Sequence, residues 1–171
     1  MATRRALSFD PIAEAKRNWT TNGWDAAAPG MTMVTSIMRA HQILLARVHQ
    51  TLVPFDITFA QYEALMLLKF SSKGRLPLGK IGQRLQVHPA SVTNVIDRLE
   101  AKGLVARVPH PDDLRTTLAA ISRSGRNLAN RATARLNVDV FENTGIDDSS
   151  QQALVDAITS LRHSAGDFAA V

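Results

Sequence analysis

Apolar positions across residues 31–53 fall at Val34, Ile37, Met38, Ile43, Leu44, Leu45, Val48 and Leu52, a band wider than one helical stripe. A helix so patterned contacts more than one neighbour and suits an interface between two chains. Before it, residues 10–22 predict a short helix, followed by a linker through the Ala-Ala-Ala-Pro-Gly break. After it, Asp56, Ile57 and Thr58 open another helix, with Thr58 as N-cap and Gln61 at the capping-box position; Tyr62, Leu65, Met66 and the stem of Lys69 follow on one face. Pro77 opens a short helix with Leu78, Ile81 and Leu85 at i, i+3 and i+7. Gln86, Val87, His88 and Pro89 read as a turn, an N-cap and a proline at the first helical position. The helix that follows buries Val92, Val95, Ile96 and Leu99, and its other face is polar: Ser91, Thr93, Asn94, Asp97 and Arg98. Gly103 stops it. Residues 104–108 and 116–121 then flank a Pro-His-Pro-Asp-Asp turn in a hairpin pattern. Ser122 with Gly125 starts a helix to about Phe141, and Ser149 or Ser150 caps a last one through about Leu161 or His163.

With 171 residues, 45% apolar and 20% charged, the composition is that of one folded globular domain and excludes disordered or collagen-like classes. No apolar run approaches the length of a membrane span, so no membrane partner is expected. Arg4 and Arg5 are followed by no apolar stretch of the kind a secretory leader needs, which predicts a cytoplasmic chain. The absence of cysteine removes thiol nucleophiles, disulfides, iron–sulfur clusters and cysteine zinc sites together, and no cofactor is expected. Charge matters through its distribution. Of a net +5, residues 71–126 carry ten basic and four acidic side chains, a net of +6, and the rest of the chain sums to −1. A phosphate-binding surface needs such a concentration, because each neutralised phosphate releases condensed counterions.

Two short helices joined by a tight turn, the second with a polar N-terminal half, and then a hairpin, are in the order of a winged helix-turn-helix. The predicted fold is therefore mainly α: a winged helix-turn-helix with an N- and C-terminal helical dimerisation domain. A major groove just admits one helix, whose first turns must offer small or hydrogen-bonding side chains to base edges, and Ser91, Thr93 and Asn94 meet that need. The hairpin tip can carry Arg115 into an adjacent minor groove, with Asp113 holding its guanidinium by a charge-assisted bond.

Arg107, Asp113, Arg115, Ile121, Ser122 and Gly125, at their spacing after the run from Val92 to Val105, resemble the wing signature and recognition helix of the MarR (multiple antibiotic resistance regulator) transcription factors. Ile57, Thr58 and Gln61 resemble that family's upstream helix entry, and the likeness covers roughly residues 31–165. It implies a homodimer on a pseudo-palindromic double-stranded operator, usually released by a small aromatic or anionic effector. Carried over, Ser91, Thr93 and Asn94 read bases, Arg98 touches the backbone or braces the domain, and Asp113 with Arg115 forms the wing pair. Residues 57–121 then make the DNA-binding region, residues 31–56 and 122–171 the dimerisation region, and residues 1–30 an N-terminal extension. A purine-responsive branch of that family has an added N-terminal helix whose tryptophan lines the ligand site, and Trp19 is similar to it. Where that branch has an aspartate this chain has Glu63, and where it has a recognition-helix arginine this chain has Val95. The expected ligand-binding residues are Trp19, His41, Tyr62 and Glu63; alternatively, Trp19 and Trp24 pin the extension onto the dimer core.

Other patterns are weaker. Gly74, Gly79 and Lys80 nearly spell a phosphate-binding loop, but Ile81 stands where a Mg²⁺-binding hydroxyl belongs. His41 and His49 share a helix face without a third ligand at short spacing, so no metal site is expected. No nucleophile or metalloprotease motif is present, so the chain is not read as an enzyme. The alternatives to a ligand-released repressor are a ligand-independent winged-helix DNA-binding protein and a winged helix used for protein–protein assembly.

Overall fold

In a computed structural model, the structure describes residues 6–113 and 115–169, so Arg4 and Arg5 lie outside the described residues. The chain divides into two compact units at Val48 and His49.

The first unit holds α1 (Pro11–Thr21) and most of α2 (Ala28–Leu52). Asp10 caps α1 by accepting a bond from the Ile12 N–H at 2.9 Å, with Pro11 at the first helical position. Trp19 and Trp24 meet edge to face, with ring centres 5.4 Å apart. Between the helices the chain makes turns instead of a slack linker, and α2 starts three residues earlier than the pattern predicts. Met33, Val34, Met38, Ile43, Leu44 and Leu45 are all exposed along it.

The second unit contains α3 (Phe59–Phe70), β1 (Arg75–Pro77), α4 (Leu78–Leu85), α5 (Pro89–Ala101), β2 (Val105–Pro109), β3 (Thr117–Ile121), α6 (Arg123–Leu136) and α7 (Asp148–Ser164). Its core gathers Leu52, Leu65, Leu68, Ile81, Val92, Ile96, Leu99 and Leu136, all fully buried. The antiparallel sheet has the order β1-β3-β2, with Arg107 opposite Ala119 and Arg75 opposite Ala120. The hairpin pattern predicted β2 and β3, but not β1. Val95, expected in the core, is only half-buried.

Local chemistry sets the boundaries. Thr58 and Gln61 form a complete capping box at α3. Gln86, at φ 54°, ends α4 and turns the chain, and the His88 ring caps α5 through the Ala90 N–H at 3.2 Å. Gly103, at φ 66°, closes α5 in a Schellman motif: its N–H donates to Glu100 O at 2.8 Å and that of Leu104 to Leu99 O at 3.0 Å. Ser122 accepts the Gly125 N–H at 2.9 Å and donates to Gly103 O at 2.8 Å, tying the start of α6 to the end of α5. A side chain at position 125 would sit 2.2 Å from Leu104 O, which is why a glycine stands there.

The helix from Ser122 does reach Phe141, its last stretch, Asn137–Phe141, winding as a π-helix. Neither Ser149 nor Ser150 caps α7. Asp147 does, accepting the Ser150 N–H at 2.9 Å, and both serine hydroxyls donate to its carboxylate, holding that group far below the usual carboxylate range. All of α7 is at least partly exposed, with Leu154, Val155, Ile158 and Leu161 showing apolar surface.

Candidate nucleic-acid interface

The exposed face of α5 presents Ser91, Asn94 and Arg98 at i, i+3 and i+7, with Thr93 beside them. Among the described residues, the side chains of Ser91, Asn94 and Arg98 have no partner. Thr93 donates its hydroxyl to Pro89 O at 3.2 Å, leaving its methyl and lone pairs outward. Burying Val92, Ile96 and Leu99 against the core leaves this polar face outward, the arrangement base reading requires.

At the hairpin tip, Asp113 and Arg115 are both exposed, but they are joined differently from the sequence expectation. The Asp113 carboxylate accepts the Arg115 backbone N–H at 3.0 Å and the Thr116 hydroxyl at 2.7 Å, rather than the guanidinium. The Thr116 hydroxyl, and after it the Arg115 N–H, hold the Asp113 carboxyl below its ordinary value. A carboxylate two residues back closes the turn through the backbone, and the guanidinium stays free of any ion pair among the described residues.

Arg107 was legible only as part of a motif, and the structure shows its work. Its backbone N–H donates to Glu100 Oε1 at 2.9 Å, while its guanidinium pairs with Glu100 and reaches Asp97 Oδ1 at 2.6 Å. The first strand of the hairpin is thereby fastened to the C-terminal half of α5. The backbone bond, then the side-chain bond, from Arg107 keeps the Glu100 carboxyl below the usual carboxylate range.

The expected ligand residues fall in both units. In the first, Trp19 is half-buried against Trp24 and His41 is exposed. In the second, Tyr62 is buried with its hydroxyl hydrogen-bonded to Thr133 Oγ1 at 3.0 Å. Glu63 is half-buried without a partner among the described residues, and burial pushes its carboxyl up from the ordinary value. Among the described residues no three metal-binding side chains cluster, and no helix is long and apolar enough to cross a membrane.

This geometry has counterparts. The MarR family model matches residues 57–117, from the entry to α3 through the hairpin turn to the first residue of β3. Sco5413, a MarR family transcriptional regulator from Streptomyces coelicolor, is 46% identical, with a TM-score of 0.75 over 83% of this chain and 99% of that one. The HTH-type transcriptional regulator YhbI of Bacillus subtilis is 37% identical over 49% of this chain and 53% of its own length. The structure of BpsR from Bordetella bronchiseptica, whose DNA binding is regulated by 6-hydroxynicotinic acid, is 26% identical, with a TM-score of 0.67 over 74% of this chain and 90% of that one. The chain spans about half the length of the curated relatives it matches. A match at 46% identity that spans 99% of a solved relative, together with the family model over the helices and hairpin turn, identifies the chain as a member of the MarR family.

Proposed function

We propose that this chain is a dimeric, sequence-specific DNA-binding transcription regulator, a repressor released by a small aromatic or anionic ligand. The observation that carries the reading is the outward polar face of α5, where Ser91, Asn94 and Arg98 have no side-chain partner among the described residues, together with an exposed hairpin tip whose Arg115 guanidinium makes no ion pair among them. Thr93 completes the base-reading set, and Asp113 shapes the tip. The excess charge of residues 71–126 supplies attraction to phosphate. The exposed apolar positions of α2, and separately those of α7, are what a second copy of the chain would cover. BpsR supports an aromatic acid as effector, since its DNA binding responds to one. A regulator of this kind acts in the cytoplasm, where its double-stranded operator lies.

The test is footprinting on the DNA flanking the chain's own coding region, with sedimentation of the same sample. A dimer protecting two half-sites about one helical turn apart, or slightly more, is expected. A folded monomer, or protection of a single half-site, overturns the reading.

A further inference from the structure

A cleft of about 450 Å³ opens between His49 near the end of α2, the turn into α3 and the C-terminal half of α5, and its lining includes none of the four expected ligand residues. Its polar lining is unbalanced. Arg98 has no partner among the described residues. Lys102 is held by Asp56, whose carboxylate lies 2.9 Å from its Nζ, so the one acid in the lining is already matched. His49 adds a ring N–H donor.

Gln61 supplies the independent observation. It is 3% exposed and lines this cleft, and its Oε1 is committed to the Thr58 N–H at 3.0 Å. No acceptor meets its Nε2 among the described residues, yet no fully buried side-chain nitrogen or oxygen there lacks a partner. The Gln61 amide nitrogen therefore keeps some access to solvent, on a residue that lines the cleft. The first turn of α3, entered at Thr58, adds the positive end of a helix dipole.

Donors at Arg98, Gln61 and His49 beside an already matched Lys102–Asp56 pair favour an acceptor with negative charge, since a charge-assisted bond from the Arg98 guanidinium is the strongest that this lining can make. Val53 and Ile57 give the same cleft apolar wall, enough for a compact body behind the charged group. We infer that this cleft is an oxyanion site, taking a carboxylate or phosphate group between Arg98 and Gln61. An occupant there bridges the entry of α3 to α5. Its regulatory meaning rests on the proposed function, whereas the binding itself does not. Two sources share this chemistry: a phosphate of the operator backbone and a free small acid.

The experiment titrates the intact ¹⁵N-labelled protein with sodium phosphate and with sodium benzoate, against sodium chloride at matched ionic strength. The Gln61 side-chain amide is followed by NMR. A saturable shift with at least one of the two oxyanions and none with chloride is expected. Gln61→Glu preserves the capping box, since glutamate serves at that position, but replaces the donor with a carboxylate, so the anion should bind about tenfold more weakly or worse. A Gln61 amide in the wild-type protein indifferent to both oxyanions overturns the inference whether or not the variant folds. So does a folded Gln61→Glu protein that binds the anions as tightly as wild type. If the operator backbone is the source, Gln61→Glu weakens binding to every duplex and lowers the salt slope by about one. If a free acid is the source, the variant binds duplexes as wild type does, and benzoate ceases to affect operator binding. Should wild-type protein bind no duplex while the Gln61 amide still shifts, the regulator reading fails and the oxyanion site stands.

Discussion

Arg107 in β2 holds the Asp97 carboxylate of α5 at 2.6 Å while its own backbone N–H is bonded to Glu100, so the hairpin and α5 share one electrostatic joint. The groups are partly exposed, and solvent screens the pair, so its value lies more in orientation than in stability. Arg107→Met should lower Tm by only about 2 °C yet weaken operator binding on the order of tenfold, because a loosened wing places its contacts less well. Thermal melts and operator titrations on the same variant check this. A large loss of Tm with unchanged affinity among the folded molecules would make the joint merely structural.

Acid should undo the same joint. The Glu100 carboxyl sits below its ordinary value of 4.5 in the folded chain, so the unfolded chain binds more protons near that pH, and stability rises with pH there. The contribution is fully present above about pH 4.5 and disappears as pH falls through the lower folded value. Asp113 and Asp147 act in the same direction, through the Thr116 and Ser149 hydroxyls first. Glu63 has the opposite sign. Burial raises its carboxyl, so the folded state loses stability as pH climbs through that raised value. Glu63→Gln should raise Tm at pH 7 by on the order of 2 °C, a modest figure because the group still meets solvent, and the gain should vanish below about pH 4.5. Melts of wild type and variant from pH 4 to pH 8 would expose a wrong sign at once.

Asn94 and Arg115 separate base reading from backbone attraction. Asn94→Ala should cost about 1–3 kcal/mol at the operator and leave non-specific binding nearly intact, if its amide reads a base. Arg115→Ala should weaken binding at all sequences and lower the salt slope by about one. Titrations with operator and scrambled duplexes across several salt concentrations distinguish the two. Equal losses on both duplexes for Asn94→Ala would remove it from the base-reading set.

Asp113 tests how the wing tip is built. Its carboxylate holds the Arg115 backbone and the Thr116 hydroxyl, so Asp113→Ala should mimic Arg115→Ala despite deleting a negative charge. Thr116→Val should show a smaller loss, since it removes only the hydroxyl bond. If Asp113→Ala binds DNA more tightly, the acid is a repulsive surface charge and the turn needs no such support.

What was legible in the sequence follows the range of the interaction that decides it. The capping box at Thr58 and Gln61, the proline start of α5 and the Gly103 stop are settled within a few residues, and each can be read directly. β1 could not be, because a three-residue strand ending at Pro77 has no alternation and exists only through pairing with Leu118, Ala119 and Ala120. At α7 the pattern pointed to Ser149 or Ser150, but both hydroxyls donate to Asp147, which caps the helix in their place. The α5 face was predictable from helical spacing. The spacing of Asp113 and Arg115 was readable too, but not which atoms of Arg115 the carboxylate would meet. Gln61 looked like a capping residue alone, and only folding brings it into the lining of the same cleft as Arg98.

Ligand release can be tested with Trp19 as reporter, motivated by its packing on Trp24 and by the response of BpsR to an aromatic acid. An acid can release the operator only if it prefers the conformation whose α5 helices are wrongly spaced for DNA. The coupling required is small: about 1–3 kcal/mol lowers operator affinity roughly 5- to 150-fold. Linkage then demands that operator DNA weaken the acid by the same factor. Trp24→Phe leaves an aromatic edge against Trp19 and assigns the emission to one residue. Phenolic and heteroaromatic acids, 6-hydroxynicotinic acid among them, should quench that emission, and added operator should shift the quenching curve to higher acid concentration. A panel that leaves both the emission and operator binding unchanged would favour a DNA-binding protein that answers to no such ligand. Quenching without any shift on adding operator would mean that the acid binds both conformations equally and does not control release.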